Sequence, residues 1–223
     1  MEKGERVAGF FITFEGPEGG GKSTQIHRLA ATLADQGFTV WTTREPGGTR
    51  VGEMIRPILL GRQSAPMTAW SEALLFTAAR AQHVEEVIRP RLHRGELVLC
   101  DRYADSTLAY QGYGRGLDLD TLRQLQSEAT GGLQPDLTML LNLPIEAGLA
   151  RIPRPAQDRL DQETETFHHR VRAGYQALAA AEPHRWREVD ASADPDRVAG
   201  RILELVSEAL ARAGVRPAQR RSA

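Results

Sequence analysis

The chain has 223 residues, a formal net charge of −1, 41% hydrophobic residues and 26% charged ones. That length fills one well-buried core and calls for no second domain, so a single domain over residues 1–223 is expected. Near-neutral charge argues against bulk electrostatic binding to nucleic acid, and a single cysteine, Cys100, excludes an internal disulfide or a multi-cysteine metal site.

No apolar stretch approaches the roughly 18 residues that span a bilayer, and the charged N-terminus lacks a secretory apolar core. The expected location is cytoplasmic, without a membrane partner. Arginine outnumbers lysine twenty-six to two. A bias of that size empties the arginine count of meaning, so only arginines at special positions carry weight.

The first apolar run, Gly9–Phe14, predicts a strand, and a helical pattern follows at Ser23–Gln36. Between them, Gly16-Pro17-Glu18-Gly19-Gly20-Gly21-Lys22-Ser23-Thr24 fits G-x-x-x-x-G-K-[ST] without a mismatch. Strand–loop–helix is the context that gives this motif its meaning. The glycines let backbone N–H groups turn onto phosphate oxygens, and the helix N-terminus adds its positive end. Lys22 is expected to reach the β- and γ-phosphates and the Ser23 hydroxyl to ligate Mg²⁺. The chain therefore handles a nucleoside triphosphate.

A second strand is predicted at Phe38–Thr42, with helices at Val51–Leu60 and Thr68–His93. On the latter, Phe76 and Arg80 share a face. An aromatic plate beside a guanidinium fork can stack on a base and bond its edge, yet the same spacing describes a core position. A third strand, Leu97–Cys100, runs into Asp101-Arg102-Tyr103. Asp101 would face the loop and hold Mg²⁺, and Arg102 could bridge two phosphates; an ordinary strand-end ion pair is the alternative.

Thr107, Tyr110 and Gln111 repeat the i, i+3, i+4 spacing, with core and ligand roles again both open. A helix at Thr121–Thr130 and a strand at Leu137–Leu143 lead into Pro144–Asp161. That segment mixes Pro144, Pro153 and Pro155 with Arg151, Arg154 and Arg159, as a mobile flap or a solvated loop would. A helix at Gln162–Ala180, a weak strand at Trp186–Asp190, a helix at Asp194–Ala213 and a frayed tail over 216–223 complete the chain. The alternation predicts an α/β fold: an open parallel sheet, helices on both faces, ligands at the carboxyl ends of the strands.

A phosphate loop alone leaves motor, switch, transporter ATPase and kinase open. With two lysines N-K-x-D is impossible, and D-x-x-G and L-S-G-G-Q are absent. A small phosphotransferase is favoured. Five segments then carry a resemblance: Phe14–Thr24, Thr43-Arg44-Glu45-Pro46-Gly47-Gly48-Thr49, Phe76-Thr77-Ala78-Ala79-Arg80, Asp101-Arg102-Tyr103 and Ser106-Thr107-Leu108-Ala109-Tyr110-Gln111-Gly112. Over nearly its whole length the chain resembles the bacterial thymidylate (dTMP) kinases.

The resemblance implies transfer of the ATP γ-phosphate to dTMP, giving dTDP for DNA precursor synthesis, with Mg²⁺ required. It also implies the P-loop NTPase fold with five parallel strands, a mobile lid at about 148–161 and a homodimer. Phe76 should stack on thymine, Arg80 bond the base edge, and Thr107 and Gln111 contact the base. Tyr110 should pack where a ribose 2′-hydroxyl would sit. Arg56 and Arg102 should grip the acceptor phosphate, with Glu45 near sugar and phosphate and Glu18 near phosphate and metal. Relatives keep the charge-neutralising arginine in the loop or in the lid. The loop here has none, so Arg151 and Arg154 become the catalytic candidates, with Arg159 beside them. Adenine is expected near Asp190–Asp194. Two rivals stay open: a kinase for dUMP, UMP or CMP, and a silent nucleotide-binding protein.

Overall fold

Five short strands, β1 (Phe10–Glu15), β2 (Val40–Arg44), β3 (Leu97–Asp101), β4 (Leu137–Asn142) and β5 (Trp186–Asp190), align parallel in the order β2-β3-β1-β4-β5. The structure is a computed structural model that describes residues 9–64, 66–153 and 157–217. Among these lie nine α-helices: α1 (Lys22–Asp35), α2 (Arg50–Leu60), α3 (Ala69–His83), α4 (Arg89–His93), α5 (Ala104–Thr107), α6 (Leu119–Thr130), α7 (Ile145–Ala150), α8 (Glu165–Ala181) and α9 (Pro195–Ala213). The predicted doubly covered parallel sheet is present.

β1 is buried along its whole length, and its alternate residues serve different layers. Phe10, Ile12 and Phe14 meet Ile26, Leu29 and Leu33 of α1 and Val198, Ile202 and Leu205 of α9. Phe11 points to the opposite face, among Val84, Ile88, Leu92 and Tyr103. On that face Leu140 of β4 packs with Phe167, Val171 and Tyr175 of α8. Cys100 is a buried filler here, as the apolar run around it suggests.

The predicted helix over Thr68–His93 is interrupted. α3 stops at His83, a π-helical turn spans Val84–Ile88, and α4 resumes at Arg89. Pro90 has no N–H to give to the preceding turn, so the regular ladder cannot run through. A second π-helical turn, Leu108–Gly114, follows α5 and carries Tyr110 and Gln111. Inside the segment read as a proline-broken loop, α7 forms a short helix ahead of Pro153.

α2, α3, α6 and α8 each start at a side chain that accepts a backbone N–H: Thr49, Thr68, Asp118 and Thr164. No side chain caps α1, where Gly21 stands in the left-handed region at φ 79°. The amide groups at this helix start are thus not claimed by a cap and are available to an anion. α9 ends at Gly214; Arg216 and Pro217 lie beyond it without helix, and residues 218–223 of the expected tail lie outside the described residues.

Candidate active site

The sheet brings three strand ends together. Phe14 of β1 pairs with Asp101 of β3, the Arg102 N–H donates to the Phe14 carbonyl at 3.0 Å, and the Glu45 N–H donates to the Asp101 carbonyl at 2.9 Å. The phosphate loop, Glu45 after β2 and the Asp101-Arg102 turn therefore share one rim. Asp101 Oδ2 accepts from the Ser23 hydroxyl at 2.6 Å, which sets an alcohol and a carboxylate oxygen side by side. Lys22 curls over its own loop and donates to the Gly16 and Pro17 carbonyls at 3.2 and 2.8 Å.

A cavity of about 330 Å³ opens over this rim. The residues from Glu18 to Thr24 line it, together with Arg44, Glu45, Pro46, Arg56, Phe76, Asp101, Arg102, Thr107, Tyr110 and Gln111. Sites scattered over nearly a hundred positions of sequence thus meet at one surface. Gly16 and Pro17 are not among the lining residues; their carbonyls face Lys22, and a side chain on Gly16 would run into the Leu141 carbonyl.

Arg102 is the hub of the rim. One guanidinium nitrogen donates to Glu18 at 2.6 Å, the other to the Gly16 carbonyl at 3.0 Å and the Tyr175 hydroxyl at 2.9 Å. Its guanidinium carbon lies 5.0 Å from the centre of the Tyr110 ring, and the Tyr110 hydroxyl donates to the same Glu18 oxygen at 2.6 Å. Arg56 donates to the Pro46 carbonyl at 2.6 Å. Phe76 presents a half-buried ring to the cavity.

Arg80 sits differently. It is 1% exposed, absent from the cavity lining, and its donors go to Glu45 at 2.7 Å, Thr107 at 2.9 Å, Gln126 at 2.5 Å and the Tyr103 carbonyl at 3.0 Å. It stands behind Glu45 and Thr107, which do reach the cavity.

The family model for thymidylate kinase matches residues 14–202. The chain is 57% identical over 206 residues to a thymidylate kinase of Thermomicrobium roseum, covering 91% of this chain and 97% of the relative. It is 53% identical over 201 residues to that of Deinococcus radiodurans, covering 90% and 97%. The crystal structure of thymidylate kinase from Ehrlichia chaffeensis superposes with a TM-score of 0.71 at 32% identity, covering 89% of this chain and 98% of that one. The chain belongs to the thymidylate kinase family.

In this kinase two residues that sequence reasoning passed over brace the cavity wall that carries Glu45, Thr107 and Gln111. Glu72 is fully buried and accepts from Gln111 at 2.7 Å, from Arg115 at 3.1 Å and from Arg159 at 2.5 Å. Arg159 also donates to the Leu59 carbonyl, so its guanidinium is held within this wall. His83, equally buried, bridges Glu45 at 3.0 Å and Thr43 at 2.7 Å. No periodicity marks either residue; only a carboxylate at a position the pattern assigns to the core could have flagged Glu72.

Of the other arginine candidates over 148–161, Arg154 lies outside the described residues. Arg151 reaches the Gly19 and Ala191 carbonyls over 3.3 Å contacts, on the side of the loop where adenine is expected, and does not line the cavity. α7 touches the loop directly: a side chain on Gly148 would strike the Glu18 carbonyl, and one on Gly19 the Gly148 carbonyl. Asp158 and Leu160 line the cavity from its far end.

Charge is unevenly held. Burial alone would push the Glu18 carboxyl up, but Arg102 and Lys22 outweigh it and pull it down to about 2. Burial and Arg102 lower the Lys22 ammonium. Glu15, at the end of β1, moves the other way: burial, with Asp105 nearby, raises it from 4.5 to about 7. The folded chain thus holds this proton up to about pH 7, whereas the unfolded chain releases it near 4.5. Between those values the native state carries more protons, so stability falls as pH rises, by about 3 kcal/mol at most. Chemical denaturation from pH 5 to 8 is expected to show this slope in the wild type and a flatter one in Glu15→Gln. Parallel profiles would show that Glu15 does not titrate there.

Proposed function

We propose that this enzyme transfers the γ-phosphoryl group of ATP to dTMP, giving dTDP and ADP. One observation carries the reading. A single cavity has the phosphate loop with Lys22, Ser23 and Asp101 along one wall and Phe76, Thr107, Tyr110 and Gln111 along another, and Arg102 bonds the loop while flanking Tyr110. Two nucleotides held end to end need that arrangement.

An oxygen of the acceptor phosphate attacks the γ-phosphorus. A new P–O bond forms as the bridging bond to the β-phosphate breaks, and ADP leaves with the electron pair. That oxygen is already anionic, since a second phosphate ionisation lies near pKa 6, so no strong general base is needed. The work left to the protein is placement and neutralisation of charge. Loop amides and Lys22 take the donor tail; Arg102 and Arg56 take the acceptor phosphate. Phe76 stacks on the base, with Thr107 and Gln111 at its edge and Arg80 bracing them from behind.

Ser23 and Asp101 offer two hard oxygen donors 2.6 Å apart, a set suited to Mg²⁺. The cation would neutralise and orient the donor phosphates when bound, and Glu18 would organise the acceptor side. The segment over 148–161 acts as a lid that excludes water, with Arg151 or Arg154 supplying charge. The protein works in the cytoplasm; no helix among the described residues is long and apolar enough to cross a membrane. It assembles as a homodimer. Met54 and Ile58 on α2 and Trp70 and Leu74 on α3 expose large apolar side chains on neighbouring helices, a patch that a second copy would cover.

A coupled assay of ADP release with dTMP, dUMP, UMP and CMP tests the reading. dTMP is expected to give the highest kcat/KM; preference for a ribonucleotide would move the enzyme to another acceptor, and no ATP consumption with any of them would favour a silent binder. The sugar is expected to be read by Tyr110. Tyr110→Ala should narrow the preference for dTMP over its ribonucleotide by about tenfold, whereas Tyr110→Phe, which keeps the ring, should preserve it. An unchanged ratio in the alanine variant places sugar selection elsewhere.

A further inference from the structure

Arg102 is the one described residue other than glycine with a positive φ, at 69°. A branched-out arginine in the left-handed region is strained, and such a conformation persists only where its surroundings over-determine it. The surroundings converge on Glu15. Alternation along β1 sends this side chain to the α5–α8 face with Phe11, not to the α1–α9 face with Phe14, so it lies beneath the phosphate loop and away from the cavity lining. It is 0% exposed.

Each carboxylate oxygen has its own task. Oε1 accepts the Tyr103 N–H at 2.7 Å, which pins the peptide immediately after Arg102. Oε2 accepts the Ser106 hydroxyl at 2.6 Å and the Tyr175 hydroxyl at 3.0 Å. Those two hydroxyl oxygens in turn accept the same guanidinium nitrogen of Arg102, at 3.3 and 2.9 Å. Once ionised, as it is above about pH 7, the carboxylate accepts from all these donors at once, and by orienting the two hydroxyls it turns their lone pairs toward the arginine. One buried group therefore fixes both the backbone and the fork of Arg102.

We infer that Glu15 is a positioning residue for phosphoryl transfer, acting through Tyr103, Ser106 and Tyr175 to hold Arg102 in its strained, phosphate-facing geometry. The inference rests on Arg102 being a phosphate-binding arginine. Glu15 itself touches no substrate. Glutamine at this position fills the same space, but its NH₂ meets two hydroxyl oxygens as a donor and can no longer orient them as acceptors for Arg102. Misplacement of a catalytic group on this scale lowers turnover by roughly ten- to a hundredfold.

The test is a double-mutant cycle on kcat with E15Q, R102A and the pair, with KM for dTMP and ATP measured alongside. E15Q is expected to lower kcat about tenfold or more in the wild-type background, and by less than twofold once Arg102 is absent, because its effect passes through that residue. Full recurrence of the E15Q loss in the R102A background, or wild-type kcat in E15Q, overturns the inference while leaving Arg102's role intact. Wild-type kcat in R102A overturns the role of Arg102 and this inference with it. Should E15Q not fold, S106A and Y175F each remove one relay. A kcat loss of a few-fold in either, absent in the R102A background, supports the inference; the same loss in both backgrounds overturns it.

Discussion

Arg102→Ala is expected to lower kcat by about 10³-fold or more while the fold survives, the scale at which a phosphate-bridging arginine contributes to phosphoryl transfer. The expectation comes from where its donors go. The guanidinium binds the loop through the Gly16 carbonyl and reaches Glu18, the loop side chain that Tyr110 also holds. It therefore sits where donor loop and acceptor wall meet, and its present partners mark out positions that phosphate oxygens could take. Lysine should rescue little, since a point charge cannot replace a planar fork that bonds in two directions. Stability should fall as well, because Glu18 loses its principal counter-charge and keeps Lys22. Separating the two effects needs a melting curve beside the rate. A variant that melts near the wild type yet turns over normally would remove Arg102 from the chemistry.

Asp101→Asn is expected to cost about 10²-fold in turnover at saturating nucleotide and to raise the Mg²⁺ concentration needed for half-maximal rate, as loss of one preorganised charge does elsewhere. The substitution is nearly isosteric, and its amide can face the Ser23 hydroxyl, so the rim need not rearrange. What disappears is the negative charge beside that hydroxyl. Ser23→Ala should shift the Mg²⁺ curve in the same direction by less, since an alcohol is a neutral ligand. Chelation with EDTA should silence the wild type, and added Mg²⁺ restore it. If the asparagine variant showed the wild-type metal dependence, Asp101 would not hold the cation.

Much of the architecture follows from local pattern. The five predicted strands match the observed ones to within two residues at each end, β3 and β4 agreeing at their starts and β5 at both ends, and the phosphate loop stands between β1 and α1. Doubly apolar runs such as Leu97–Cys100 are what strands covered on two faces require, and glycines with a lysine at fixed offsets between a strand and a helix point to a phosphate loop. Helix interruptions were less legible. Pro90 gave a hint of the break after His83, but the π-helical turn at Leu108–Gly114 has no proline; within it Tyr110 packs edge-on against Phe167 and Tyr175 of α8.

The amino-acid order alone determined that phosphates are bound, which residues make the loop, and which side chains belong to the recognisable motifs. Tertiary structure alone decided which of those side chains face the cavity. Arg80 and Phe76 lie one turn apart on α3, yet the ring reaches the cavity and the guanidinium is consumed behind it. Glu15, Glu72 and His83 gained their importance the same way. A buried charge takes its meaning from the partners that satisfy it, and those partners come from strands and helices far along the chain, brought within hydrogen-bonding reach only by packing.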